Sequence, residues 1–456
     1  MTLMLAATLA LAADGTFPYP VRHTELENGL DLYVVPMPSP GAATVYTWMS
    51  VGSRDEVDDG RTGFAHFFEH LMFFGTPTLG GNAREDEIMR LGIEENAWTW
   101  FDETVYHGVV SADRVERYLQ IEADNFQNLA LTADDVEKES GAVYGEFRKG
   151  QASAANALDV ELWGAAFTTH TYGHDTIGYE ADIQAMPTAH SYAEAFFDRY
   201  YRPENTNIIV AGDVDPVAVR TWVERDWSGW EPADEPRPEI PEEPEQTELR
   251  EVHVDWPTPT APRLVMAWKV PAHDPTSADV AALTLIEDLL LADTGVLPRR
   301  LVREEALAYG VSGGRYDLLD PSLFTVSVTL RDVDDRAEAE AIIRGAIEGL
   351  DQVEAATLER VADHRRYGFL SSLDEPKAVA NALGWHLRRH DDPDALVGFQ
   401  DLLAAATPED VARVAAATFV DERLTIGTLS PPPDEPDEAG ASDAPEAGDD
   451  AEEVAE

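Results

Sequence analysis

The sequence predicts an α+β protein of two related domains, each an antiparallel sheet packed with helices, and three observations carry that prediction. The chain has 456 residues, too many for one ordinary core. A Pro- and Glu-rich stretch, Glu231 to Glu248, divides it near the middle and reads as an extended, solvated connector. On either side, strand-like and helix-like segments follow in the same order, although the residues themselves are little alike.

The first thirteen residues form an apolar run ending in small residues, so residues 1–14 read as a secretory signal segment and the mature protein as exported, periplasmic or secreted. The run is too short to span a bilayer, and no other stretch is long and apolar enough to do so. The first domain, 15–230, opens with two β-branched and aromatic runs, Leu30–Val35 and Ala43–Ser50. A helix over Gly63–Phe74 follows. Further strands are expected at Thr104–Val110 and Asn207–Ala211. A helix over Ala112–Asn125 places Val115, Tyr118 and Leu119 on one face. The second domain, 249–430, repeats the scheme with strands Leu249–Val254 and Arg263–Val270, a helix Ser277–Leu291, a strand Leu323–Leu330 and a helix Ala337–Leu350. Residues 431–456 begin with three prolines and hold 11 acids and no base, the composition of a disordered tail.

Composition narrows the function. With 33 basic against 87 acidic residues the formal charge is −54, which argues against nucleic acid and against anionic membrane surfaces. The acids are spread along the chain, as solubility requires; a preference for basic peptides is the sharper alternative. There are no cysteines, so a disulfide framework is excluded and any transition metal must be held by histidine and carboxylate.

The segment Thr62-Gly-Phe-Ala-His-Phe-Phe-Glu-His-Leu-Met-Phe-Phe-Gly75 reads as a helix, with Thr62 placed to cap its start and Gly75 to end it. His66 and His70 stand at i and i+4, so both imidazoles share a face and can grip one ion. Glu69 lies beside them, free to take a proton from a water on the metal. A core helix with two satisfied histidines would carry the same residues, so a third ligand is needed. A second helix, opened by Thr132 and Asp135, supplies Glu139 and Glu146, two turns apart on one face. Glu146 reads as the ligand, and Glu139 as a carboxylate behind it.

These blocks resemble the pitrilysin, insulysin and mitochondrial processing peptidase family of inverted zincins. The H-x-x-E-H run, the paired glutamates and the 76-residue step from His70 to Glu146 are similar to that family's zinc site. Asn96-Ala-Trp-Thr99 is similar to its active-site edge strand, which implies that Asn96 and Ala97 bind peptide substrate. His170–His174, Tyr200–Asn205 and Val210–Asp213 resemble the close of its first domain. Leu301–Gly310 resembles the arginine–tyrosine segment of its second. The family's arginine stands seven residues before the tyrosine, which falls on Val302 here; the resemblance implies Tyr309 with Arg303, six residues before it, and Arg299 and Arg300 lie just ahead as alternatives. It further implies one Zn2+ per chain, a zinc metalloendopeptidase acting on unfolded peptides, and a four-domain clamshell of which this chain forms half. The partner is then a second copy (homodimer) or a related chain (heterodimer). The alternative is a non-catalytic or partner-dependent subunit of a processing-type peptidase.

Overall fold

The computed structural model describes residues 17–432 except 81, 234, 235 and 391; the signal segment and the acidic tail beyond residue 432 lie outside the described residues. Eleven strands form two sheets. The first contains β1 (Arg22–Glu25), β2 (Asp31–Pro36), β3 (Ala42–Met49), β4 (Glu94–Thr99), β5 (Thr104–Ser111) and β6 (Thr206–Gly212), in the order β1-β2-β6-β3-β5-β4. The second contains β7 (Arg250–Asp255), β8 (Arg263–Val270), β9 (Ala308–Arg315), β10 (Ser322–Leu330) and β11 (Leu424–Ser430), in the order β7-β11-β8-β10-β9. Apart from β1 the two orders are the same, so the repeat read in the sequence is a repeat of topology.

The fold is α+β as expected, but the sheets are mixed rather than purely antiparallel. Each holds one parallel pair, β2 with β6 and β7 with β11. The physical reason is the long return: β6 and β11 come back only after a series of helices, and a crossover of that length can deliver a strand parallel to its neighbour.

Helices cover both faces of each sheet, and one covering helix is exchanged between the halves. The outer face of the first sheet, with Tyr33, Val35, Tyr46, Trp48 and Ile209, packs on Val379, Ala380, Leu383 and Leu387 of the helix Pro376–Arg389, which belongs to the second half. In return, Leu158, Leu162 and Trp163 of the helix Ala154–Ala166 cover Val265, Ala267 and Leu429 of the second sheet. Each fully buried side chain of this size stabilises by about 1.5–3 kcal/mol. Gly384 is required at the first contact, since a Cβ there would lie 2.1 Å from Trp48 Cε2. A polar seam joins the halves as well: buried Asp102 accepts from the Tyr172 hydroxyl at 2.6 Å and the Leu319 amide at 2.9 Å.

The described residues of the connector have no regular secondary structure, but the segment is strapped down near its end rather than solvated throughout. The Glu243 carboxylate accepts from the amides of Thr168, Thr169 and His170 at 2.8–3.0 Å, and the buried Gln246 side chain donates to Leu424 O at 2.9 Å. Composition marked the segment as unfit for a core and could not register three free amides waiting beside it. Among the described residues no helix is long and apolar enough to cross a membrane.

Candidate functional site

The site begins with the helix Phe64–Leu71 and the 3₁₀ turn Met72–Phe74 that ends it. Phe64, Phe67, Phe68 and Leu71 are fully buried in the first core, and that fixes the rotation of the helix. His66 and His70 then emerge on the remaining face, their ring centroids 4.8 Å apart. Gly75, with φ +90°, closes the turn as expected. Thr62 does not cap the start: its hydroxyl donates to Asp182 at 2.6 Å. The cap is Glu56, whose buried carboxylate accepts from the amides of Gly63 and Ala65, both at 2.7 Å. Burial pushes the Glu56 carboxyl well above its ordinary range, and the two amide bonds pull against that. Gly63 has φ +84°, and a Cβ there would sit 2.4 Å from Ile177 O, so only glycine fits.

The second element is the helix Ala133–Gly150, which starts at Thr132 and Asp135 as expected, the two forming a capping box. Val136, Val143 and Phe147 anchor it in the same core. Glu146 Oε2 lies 3.5 Å from His66 Nε2 and 3.6 Å from His70 Nε2. One ligand atom from each of the three residues falls within 4.8 Å of the others. The edge of a tetrahedron around an ion with bonds of 2.0–2.1 Å is about 3.3 Å, so the donor set fits a zinc ion. Glu139 Oε1 lies 2.8 Å from His70 Nδ1, which leaves Nε2 of that ring for the cluster. Burial, then the neighbouring His70, lowers His66 to about 4, so its imidazole is neutral as a ligand must be. His70 is pushed up, first by its hydrogen bond to Glu139.

Glu69 is held separately. Its Oε2 accepts from Thr99 Oγ1 at 2.6 Å. Burial raises the Glu69 carboxyl, partly offset by that hydrogen bond. Thr99 is the last residue of β4, the edge strand of the first sheet, paired on one side only with β5. A cavity of about 550 Å³ lies against this edge, lined by Glu69, His70, Phe73, Asn96, Ala97 and Glu139, among others.

Two residues of the expected site are not in this cluster. Tyr309 sits on β9, the edge of the second sheet, well exposed, with the Arg331 guanidinium 4.6 Å from its ring centroid. Arg303 lies in the π-helical turn Pro298–Glu304 and donates to Asp293 O at 2.8 Å. Neither lines the cavity beside Glu69. Sequence reasoning missed Glu56 altogether and gave Thr99 no role; both contacts cross loops whose path no local pattern records.

Comparison with known proteins agrees with this geometry. Residues 36–180 match the family described as insulinase (peptidase family M16), and residues 192–364 match the peptidase M16 inactive domain. The zinc protease PqqE of Helicobacter pylori is 27% identical over 424 residues, covering 89% of this chain and 92% of that protein. The crystal structure of a protease from Helicobacter pylori superposes with a TM-score of 0.85 at 27% identity, covering 90% of this chain and 99% of the other. The periplasmic protease PqqL of Escherichia coli, at 18% identity and a TM-score of 0.74, shares the fold over 92% of this chain and 48% of its own.

Proposed function

We propose that this chain, which belongs to the insulinase family of peptidases (M16), is a zinc-dependent endopeptidase hydrolysing unfolded peptides. The observation that carries the reading is the convergence of His66, His70 and Glu146 beside a Glu69 carboxylate held by Thr99. His66, His70 and Glu146 would hold the zinc. When bound, zinc lowers the pKa of water toward ~7 and polarises a carbonyl oxygen. Glu69 takes the proton from the attacking water and returns it to the leaving amine, with Thr99 fixing its carboxylate. Glu139 holds the His70 ring. Asn96 and Ala97 on the free edge of β4 receive the extended substrate by main-chain hydrogen bonds. The apolar N-terminal run supports export to the periplasm or beyond.

The test is Glu69→Gln. The amide keeps the shape and cannot take the proton. The variant should bind zinc like the parent and lose hydrolysis by ~10²–10⁴-fold. Activity above about a hundredth of the parent's would remove Glu69 from that role.

A second reading concerns assembly. Tyr309 and Arg303 are not among the residues lining the cavity beside Glu69, which supports a dimer in which they face the ligand cluster of the partner and stabilise the developing oxyanion. Glu69→Gln and Tyr309→Phe chains, each nearly inactive, should then regain part of the activity when mixed. A fully active monomer at micromolar concentration rules the dimer out; a chain that works only with a second, related chain selects the heterodimer.

A further inference from the structure

We infer that Arg84 is a positioning residue for the peptide-binding strand β4, acting through Glu95 and Phe73; the inference rests on the peptidase reading above. Arg84 belongs to the helix Asn82–Leu91, between the histidine helix and β4, and is only 5% exposed. Its Nη1 and Nη2 donate to the two oxygens of Glu95 at 3.0 and 2.8 Å, and Nη2 also donates to Glu122 at 2.8 Å. The same guanidinium lies 5.5 Å from the ring centroid of Phe73, which lines the cavity beside Glu69.

Side chains alternate along a strand, so Glu95, Ala97 and Thr99 share one face of β4. That face is clamped at both ends. Thr99 bonds Glu69 at one end, and Glu95 bonds Arg84 at the other. Asn96 and Ala97 lie between the clamps. An edge strand has no second neighbour to fix its path, and a peptide adding to it needs the free amides and carbonyls in register. A buried ion triad is a poor way to gain stability, because desolvating three charges offsets most of their attraction. A planar fork that must meet Glu95 bidentately does fix direction. Arg84 therefore sets the path of β4 and one wall of the cavity together.

The experiment measures binding, with hydrolysis as a separate arm. A fluorescein-labelled unstructured peptide is titrated by anisotropy into zinc-loaded chain carrying Glu69→Gln, which binds without turnover. Glu95→Gln is added to it; this variant leaves the Arg84–Glu122 pair in place and removes the charged bidentate partner. Binding should weaken about tenfold, the effect of losing roughly one charge-assisted hydrogen bond's worth of order. Arg84→Lys, which keeps the charge and loses the fork, should weaken binding as well. Zinc content and unfolding temperature serve as controls. A lowered unfolding temperature with unchanged affinity in both variants overturns the inference and leaves only a structural triad. Hydrolysis by the otherwise unmutated chain reads the proposed function separately. If that arm fails both alone and with a related partner chain added, while Glu95→Gln still weakens binding, the peptidase reading falls and the positioning role stands. If the Glu69→Gln parent itself binds no peptide, both fall.

Discussion

Apart from β1 the two sheets have the same strand order, yet among the described residues the possible metal ligands His66, His70 and Glu146 gather in the first half alone, and the helices that follow β3 and β8 show why. In the first half that helix has eight residues, with its apolar side chains on one face and His66, Glu69 and His70 left over on the other. Its counterpart, Ala278–Leu291, has fourteen residues and buries an unbroken run from Val280 to Ile286. A helix buried along such a run is a core element, and the polar residues it does carry are engaged within the fold, Thr284 with Val280 O and Glu287 with the Arg315 amide. The edges differ in the same sense. β4 ends in Thr99, which reaches Glu69, whereas β9 carries exposed Tyr309 and the glycine pair Gly313 and Gly314, both at φ +139°. One fold thus presents a cluster of possible metal ligands or a packed wall, depending on which helix face is left unburied.

The most damaging way to erase this difference is to remove a ligand. His70→Ala makes the first helix resemble its counterpart and should take zinc from about one per chain to none, measured by elemental analysis of the purified protein. Thr284→Ala in the counterpart helix, where the hydroxyl donates to Val280 O at 2.9 Å and accepts from Arg315 Nη2 at 3.3 Å, should leave zinc unchanged. Retained zinc in His70→Ala would move the site elsewhere.

Much of this was legible in the sequence because it is local. The i, i+4 histidines, the helix start at Thr132 and the glycine at 75 each act within one or two helical turns, and the structure places them as read. The strand runs were legible from β-branched and aromatic content, with ends off by only a residue or so. What sequence could not supply is contact at long range. Glu56 reaches a helix start across the loop before it, Glu243 crosses to Thr168–His170, and the covering helices change sides between the halves. The parallel pairing of β6 and β11 belongs to the same class, since nothing in a strand's own residues states its direction relative to a neighbour far away in the chain. The arginine–tyrosine pair is a third instance: neither Arg303 nor Tyr309 lines the cavity beside Glu69, and no local pattern records that.

The smallest expected effect sharpens the comparison further, because the two counterpart helices are capped by different means. Ala278–Leu291 uses the ordinary device, the Ser277 hydroxyl accepting from the Val280 amide at 3.4 Å. Ser277→Ala should cost about 1 kcal/mol. The histidine helix starts from a left-handed glycine, which has no side chain to offer, and borrows the Glu56 carboxylate for two amides at once. Glu56→Ala leaves both buried amides without an acceptor and should cost more, about 2 kcal/mol, read as the shift in urea midpoint at constant slope. Functional consequences should separate the two helices more cleanly than stability does. His66 lies in the first turn of the short helix, directly above the borrowed cap, so loosening that turn moves a ligand. Zinc affinity, measured by competition with a chelator, should fall in Glu56→Ala and stay unchanged in Ser277→Ala. Equal zinc affinity in both variants would mean that the phenylalanine face alone fixes the ligands, and that Glu56 serves only to satisfy the two amides.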